Sequence, residues 1–184
     1  MKSISVFQRF PNRQAILQVY ALIAFLISAW TITGFLWKLS AWLLILNLGE
    51  VFTIFSYAMV VNLLETVTVL TILLIICALL PSHLFRDDFV VRGSILVFGI
   101  IGSLMAFLGL HREFGMESGL KLLIGPIVTW LLTAILLGCL PRFQKLRFLH
   151  SAIFWISDRM TVFLYVLVPL YIALFSYILF RNIS

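Results

Sequence analysis

Between Ala15 and Phe180 the chain is a succession of apolar runs, with most of the charge confined to short segments between them. A helix that crosses a bilayer needs roughly 20 consecutive apolar residues. Hydrocarbon offers a backbone N–H or C=O no partner outside its own segment, so runs of this kind fold as helices. The expectation is an all-α, polytopic integral membrane bundle forming a single transmembrane domain.

Composition supports this. The chain is 63% hydrophobic and 11% charged, with a mean hydropathy of +1.16. A soluble domain is usually about a quarter charged and just under half apolar. The formal net charge is +6, from 13 Lys and Arg against 7 Asp and Glu. In a soluble protein that surplus would suggest nucleic acid. Here the basic residues flank apolar runs, where they set orientation and meet anionic headgroups. The partners expected are the lipid bilayer and other membrane subunits or further copies of the chain, with no nucleic acid.

Spans are expected near residues 15–37, 50–80, 93–110, 122–140 and 160–180, with interfacial segments near 39–48 and 142–157. A basic start before an apolar run also describes a signal peptide. This first run is too long for one and lacks a small-residue cleavage site, so it is read as a retained helix. Ser157 and Asp158 look like start signals for the last span, and Pro169 should kink it. Trp37 and Trp42 fit one membrane interface and Trp155 the other.

Residues 39–80 contain no Lys or Arg. The segment is too long for one ordinary span, so it is one span with an interfacial piece, or two spans in a tight hairpin. The positive-inside rule separates the two. With one crossing and a cytoplasmic N-terminus, the inside holds Lys2, Arg9, Arg13, Arg86, Arg92, Arg142, Lys145, Arg147 and Arg159, nine residues. The outside holds Lys38, Arg112, Lys121 and Arg181, four residues. With two crossings the division is six to seven, which is no bias. Five spans are therefore preferred over six, with the N-terminus cytoplasmic and the C-terminus outside, in a plasma or inner membrane. Cys77 and Cys139 would then both lie toward the cytoplasmic face and stay reduced.

Glu65 falls near the middle of the second expected span. A carboxylate at that depth is costly unless it is neutral, hydrogen-bonded or near water. Asn62 lies one turn before it. No Lys or Arg is available at that depth, so any partner within the chain should be neutral: Thr31, Thr33, Thr129, Thr133 or Tyr165. Such a group is either interhelical glue or a proton or cation site, and glue is preferred. Asn47-Leu48-Gly49-Glu50 echoes Asn62-Leu63-Leu64-Glu65 at a spacing of 15. On one helix, that spacing puts the two acids within about 60° of one face and roughly 22 Å apart. A polar track and a coincidence both fit, and coincidence is preferred.

On the third expected span Gly99, Gly102, Ser103, Ala106 and Gly109 recur at spacings of three and four. That is a face another helix can approach closely. Asp87 and Asp88 sit in a mixed-charge segment with Arg86 and Arg92, best read as a solvated loop. No catalytic, metal-binding or cofactor motif is present, and no cofactor is expected. Three functions remain. The preferred one is a structural, assembly or accessory subunit of a membrane complex. A small proton- or cation-coupled transporter using Glu65 comes second. An intramembrane lipid-modifying enzyme, resting on Asp87 and Asp88 alone, comes last.

Overall fold

The computed structural model describes residues 11–79, 89–114, 124–139 and 147–183. Five helices account for nearly all of them, and no strand occurs among the described residues. They are α1 (Arg13–Trp42), α2 (Leu48–Leu79), α3 (Phe89–Phe114), α4 (Ile124–Cys139) and α5 (Arg147–Ile183). The molecule is an all-α membrane bundle. Four helices are long and apolar enough to cross a membrane: α1, α2, Phe89–Gly109 of α3 and Ser151–Ile183 of α5. The described part of α4 has 16 residues, about 24 Å of helix. The residues that precede and follow it lie outside the described set.

The two alternatives for residues 39–80 can be compared directly. α2 is one continuous helix of 32 residues, about 48 Å long, with no hairpin inside it. Leu39–Trp42 belong to α1, which runs five residues past its expected end at Trp37. The chain reverses at residues 43–47, where Leu46 N–H closes on the Trp42 carbonyl at 2.7 Å. Leu44 and Ile45, at the tip, are 87% and 84% exposed. Exposed apolar side chains at a helix reversal mark contact with lipid or with another protein.

α5 begins well before residue 160. Ser157 and Asp158 therefore lie inside a helix and cap nothing. A Ser or Asp caps a helix only where the first N–H groups lack partners, and here the preceding turns supply them. The two side chains reach across to other helices instead. α5 also continues unbroken through Pro169. Having no N–H, Pro169 leaves the Tyr165 carbonyl without its usual donor.

Interhelical contacts fix the directions. Along α1 and α5 residue numbers rise together: Gln18 meets Asp158, and Ser28 meets Tyr171. Along α2 and α5 they oppose: Thr53 meets Tyr177, and Asn62 meets Tyr171. Gly93 of α3 abuts Val19 of α1 and Leu73 of α2. Ser103 of α3 meets Trp130 of α4, with Gly99 against Thr133. Thus α1, α3 and α5 run one way, and α2 and α4 the other.

α1 is the central helix. Gln18, Val19, Ala21, Leu22, Ile23 and Ala24 are all buried, nearly all the way round the helix. One side joins Leu73, Cys77, Phe89, Val97 and Ile101 of α2 and α3. The other joins Met59 of α2 and Leu164, Leu167, Tyr171 and Leu174 of α5. Gln18, Ala21, Ala24 and Ser28, spaced by three and four, form a small and polar edge that lets α5 pack closely.

Candidate functional site

The most ordered polar feature lies where α1, α2 and α5 meet, near the middle of α1 and α2. Asn62 Nδ2 donates to Ser28 Oγ at 3.3 Å. Ser28 Oγ and Tyr171 Oη are 2.8 Å apart. Tyr171 Oη donates to Asn62 Oδ1 at 3.3 Å. With Ser28 donating to Tyr171, each side chain gives one hydrogen bond and receives one, and the ring closes. Thr66 Oγ1 adds a bond to the Asn62 carbonyl at 2.8 Å and reaches Asn62 Oδ1 at 3.3 Å. All four residues are buried, Asn62 to 1% and Thr66 to 0% exposure.

Every member of this ring is neutral. In hydrocarbon the alternative to such bonds is an unsatisfied polar group, so the ring ties three helices at one register. It contains no charged group and no titrating carboxylate or imidazole.

Glu65 is not part of it. Asn62 and Thr66 turn inward, whereas Glu65, between them in sequence, is exposed on the outer surface of α2. Among the described residues it has no hydrogen-bond partner. The hydroxyls of Thr33, Thr68 and Thr133 bond carbonyls of their own helices, and Tyr165 is 82% exposed.

Glu50 and Asn47 have a local role. Asn47 N–H donates to Glu50 Oε2 at 2.9 Å, and Glu50 N–H donates to Asn47 Oδ1 at 2.9 Å. This is a reciprocal capping box at the start of α2, satisfying two N–H groups that the helix cannot. The two Asn-Leu-x-Glu segments thus sit in different settings: one opens a helix, the other lies in its middle.

Polar pairs also mark the two ends of the bundle. At the end where α1 starts, Gln18 Nε2 donates to Asp158 Oδ1 at 3.2 Å, and Ser94 and Ser157 are 3.0 Å apart. Arg92 is buried nearby in α3, and Arg159 lies 5.6 Å from the Trp155 ring. At the other end Tyr177 contacts Thr53 and Arg181, Tyr57 donates to Asn182, and Lys38 lies 5.9 Å from the Trp42 ring. Sequence reasoning noted Thr66 only as a neighbour of Glu65 and missed Ser28, Tyr171 and the Gln18–Asp158 pair. The three-and-four spacing of Gln18, Ala21, Ala24 and Ser28 is the signal that points to the α1 members, Gln18 and Ser28.

The small residues of α3 meet different neighbours among the described residues. A side chain at Gly99 would collide with Thr133. Ser103 Oγ accepts from Trp130 Nε1 at 2.8 Å. Among the described residues nothing lies within 4 Å of a side chain placed at Gly102, Ala106 is exposed, and Gly109 approaches Trp30.

Beside the ring lies an open groove of about 210 Å³, lined by Tyr20, Leu63, Val168, Tyr171, Ile172 and Phe175. Apart from the two tyrosines its walls are hydrocarbon. Among the described residues no three His, Cys, Asp or Glu side chains converge. Asp87 and Asp88 lie outside the described residues, as does the Cys139 side chain. Cys77 is buried in the core. Compared with family models, curated proteins and solved structures, the chain matches none.

Proposed function

We propose that this protein is a structural or accessory subunit of a larger membrane assembly. The observation that carries the proposal is Glu65: a carboxylate at mid-helix, exposed on the outside of the bundle, with no partner among the described residues. A group that costs several kcal/mol against lipid is retained where a neighbour receives it. The central polar ring is neutral and occupied with itself, which counts against a charge-carrying path through the interior.

The orientation that fits best is a plasma or inner membrane with the start of α1 on the cytoplasmic side. The charge distribution supports it, and the alternating helix directions are compatible with five crossings and a C-terminus outside.

Purification in a mild detergent, with native mass and identification of stoichiometric companions, tests the proposal. Foreign subunits in fixed ratio are expected. A species made only of this chain, whose proton-dependent flux in liposomes is lost in Glu65→Gln, would replace assembly with transport.

A further inference from the structure

We infer that the outer face of α2 around Glu65 receives a transmembrane helix of a different protein, one that carries a lysine or arginine at the same depth. This rests on the assembly proposal and names the chemistry of the partner.

Depth comes first. Glu65 lies 17 positions from Leu48 and 14 from Leu79, about 26 and 21 Å along the helix. Its side chain is too short to reach water past either end. The surroundings on this face are apolar: Val61, Leu64 and Ile72 are each 50% exposed or more. The nearby hydroxyl of Thr68 is already bound to the Leu64 carbonyl at 2.7 Å. Among the described residues Glu65 is thus an acceptor without a partner, on a face whose other exposed groups are apolar or already bonded within the helix.

Charge then selects the occupant. Among the described residues, a second copy of this chain brings no cation to that level of the outer face: Arg92, whose neighbour Gly93 abuts Leu73, 8 positions from Glu65, is buried inside the bundle. Lys38 lies 10 positions from Ser28 along α1, and Arg159 lies 12 from Tyr171 along α5, about 15 and 18 Å from the central ring. Residues 39–85 contain no Lys or Arg at all. Two copies meeting on this face would set Glu65 against Glu65, two acids with no cation between them. A basic residue on a foreign helix instead forms a neutral pair, in a medium where such a pair is strong and either charge alone is costly. The exposed positions Val61, Leu64, Thr68 and Ile72 recur at three and four, the spacing a packed partner helix needs.

The test uses the full chain in its own membrane. A photoreactive benzoylphenylalanine is placed at Val61 or Thr68, either side of Glu65, and at Val166 on the outer surface of α5 as a control. Adducts are digested and sequenced. From positions 61 and 68 a single foreign transmembrane helix is expected, with a Lys or Arg within one turn of the cross-linked residue. Glu65→Leu should cut its yield by about tenfold, equivalent to roughly 1.4 kcal/mol. Glu65→Lys should abolish it, and changing the partner's basic residue to Glu should restore it.

Adducts between two copies of this chain, adducts with lipid only, or a foreign helix lacking a basic residue would overturn the inference. So would a yield indifferent to Glu65→Leu. Foreign subunits that co-purify while the α2 adducts are lipid alone would remove this inference and leave the assembly proposal standing. A chain that purifies without foreign subunits removes both.

Discussion

Asn62 and Glu65 are three positions apart on α2, yet Asn62 is 1% exposed within the bundle and Glu65 faces out of it. One turn of helix separates a polar group whose bonds are met inside the bundle from one with no partner among the described residues. The two should respond oppositely to the same substitution. Asn62→Leu removes the ring's bonds to Ser28, Tyr171 and Thr66, and should cost about 2 kcal/mol. Glu65→Leu should leave the purified chain as stable as before or more so, since leucine partitions into lipid better than a carboxylate. Unfolding in mixed micelles by a denaturing detergent measures both. Equal losses at the two positions would contradict the placement of Glu65.

Asn47→Ala opens the capping box and leaves the Glu50 N–H without its acceptor. Loss of such a cap costs about 1 kcal/mol. The effect should be local: faster hydrogen exchange at the amides of Gly49, Glu50 and Val51, with the centre of α2 unchanged. Exchange spreading to Asn62 would show that the start of α2 is coupled to the ring.

Gly99→Ala places a methyl group against Thr133, and overpacking of this kind costs about 1–3 kcal/mol. Thr133→Ala in the same chain removes the hydroxyl and methyl that clash and should recover part of the loss. Gly102→Ala, with none of the described residues within 4 Å, should be silent in the same unfolding assay. If Gly102→Ala proves as costly as Gly99→Ala, the α3–α4 packing described above is incorrect.

Gln14 and Ser40 are both exposed, near opposite ends of α1. In cells, Ser40→Cys should react with an impermeant maleimide from outside. Gln14→Cys should react only after the membrane is opened. The reverse pattern would invert the proposed orientation. Cys77 cannot serve for this, because it is buried at 3% exposure.

Hydropathy made the helices legible because in lipid a long apolar run has few alternatives to helix. The charge count favoured one crossing over a tight hairpin in residues 39–80, and within that segment α2 is a single continuous helix. Asn47 and Glu50 were visible as a pair, but a capping box and a polar track share the same letters until the start of the helix is known. Which way Glu65 faces was not legible. A soluble helix announces its buried face by amphipathicity, but α2 is apolar on every side because both lipid and bundle accept hydrocarbon. The start of α5 was misread at Ser157 and Asp158 because a capping residue and an interhelical hydrogen bonder have the same composition. The ring itself needed three helices in register, and sequence spacing within any one of them shows only a third of it.

The central claim is that Glu65 stands outside the bundle while its near neighbour Thr66 stands inside. A nitroxide at each position, in a chain with Cys77 and Cys139 replaced by alanine, reports this most directly. The purified protein is placed in liposomes, and collision of each label with oxygen and with a water-soluble nickel complex is measured. Both positions lie at nearly the same depth, so a difference between them reports the face of the helix. The label at position 65 should be mobile, open to oxygen and closed to nickel, and the label at 66 should be immobile and shielded from both. A label at 65 as immobile as that at 66, or one reached by nickel, would contradict the account.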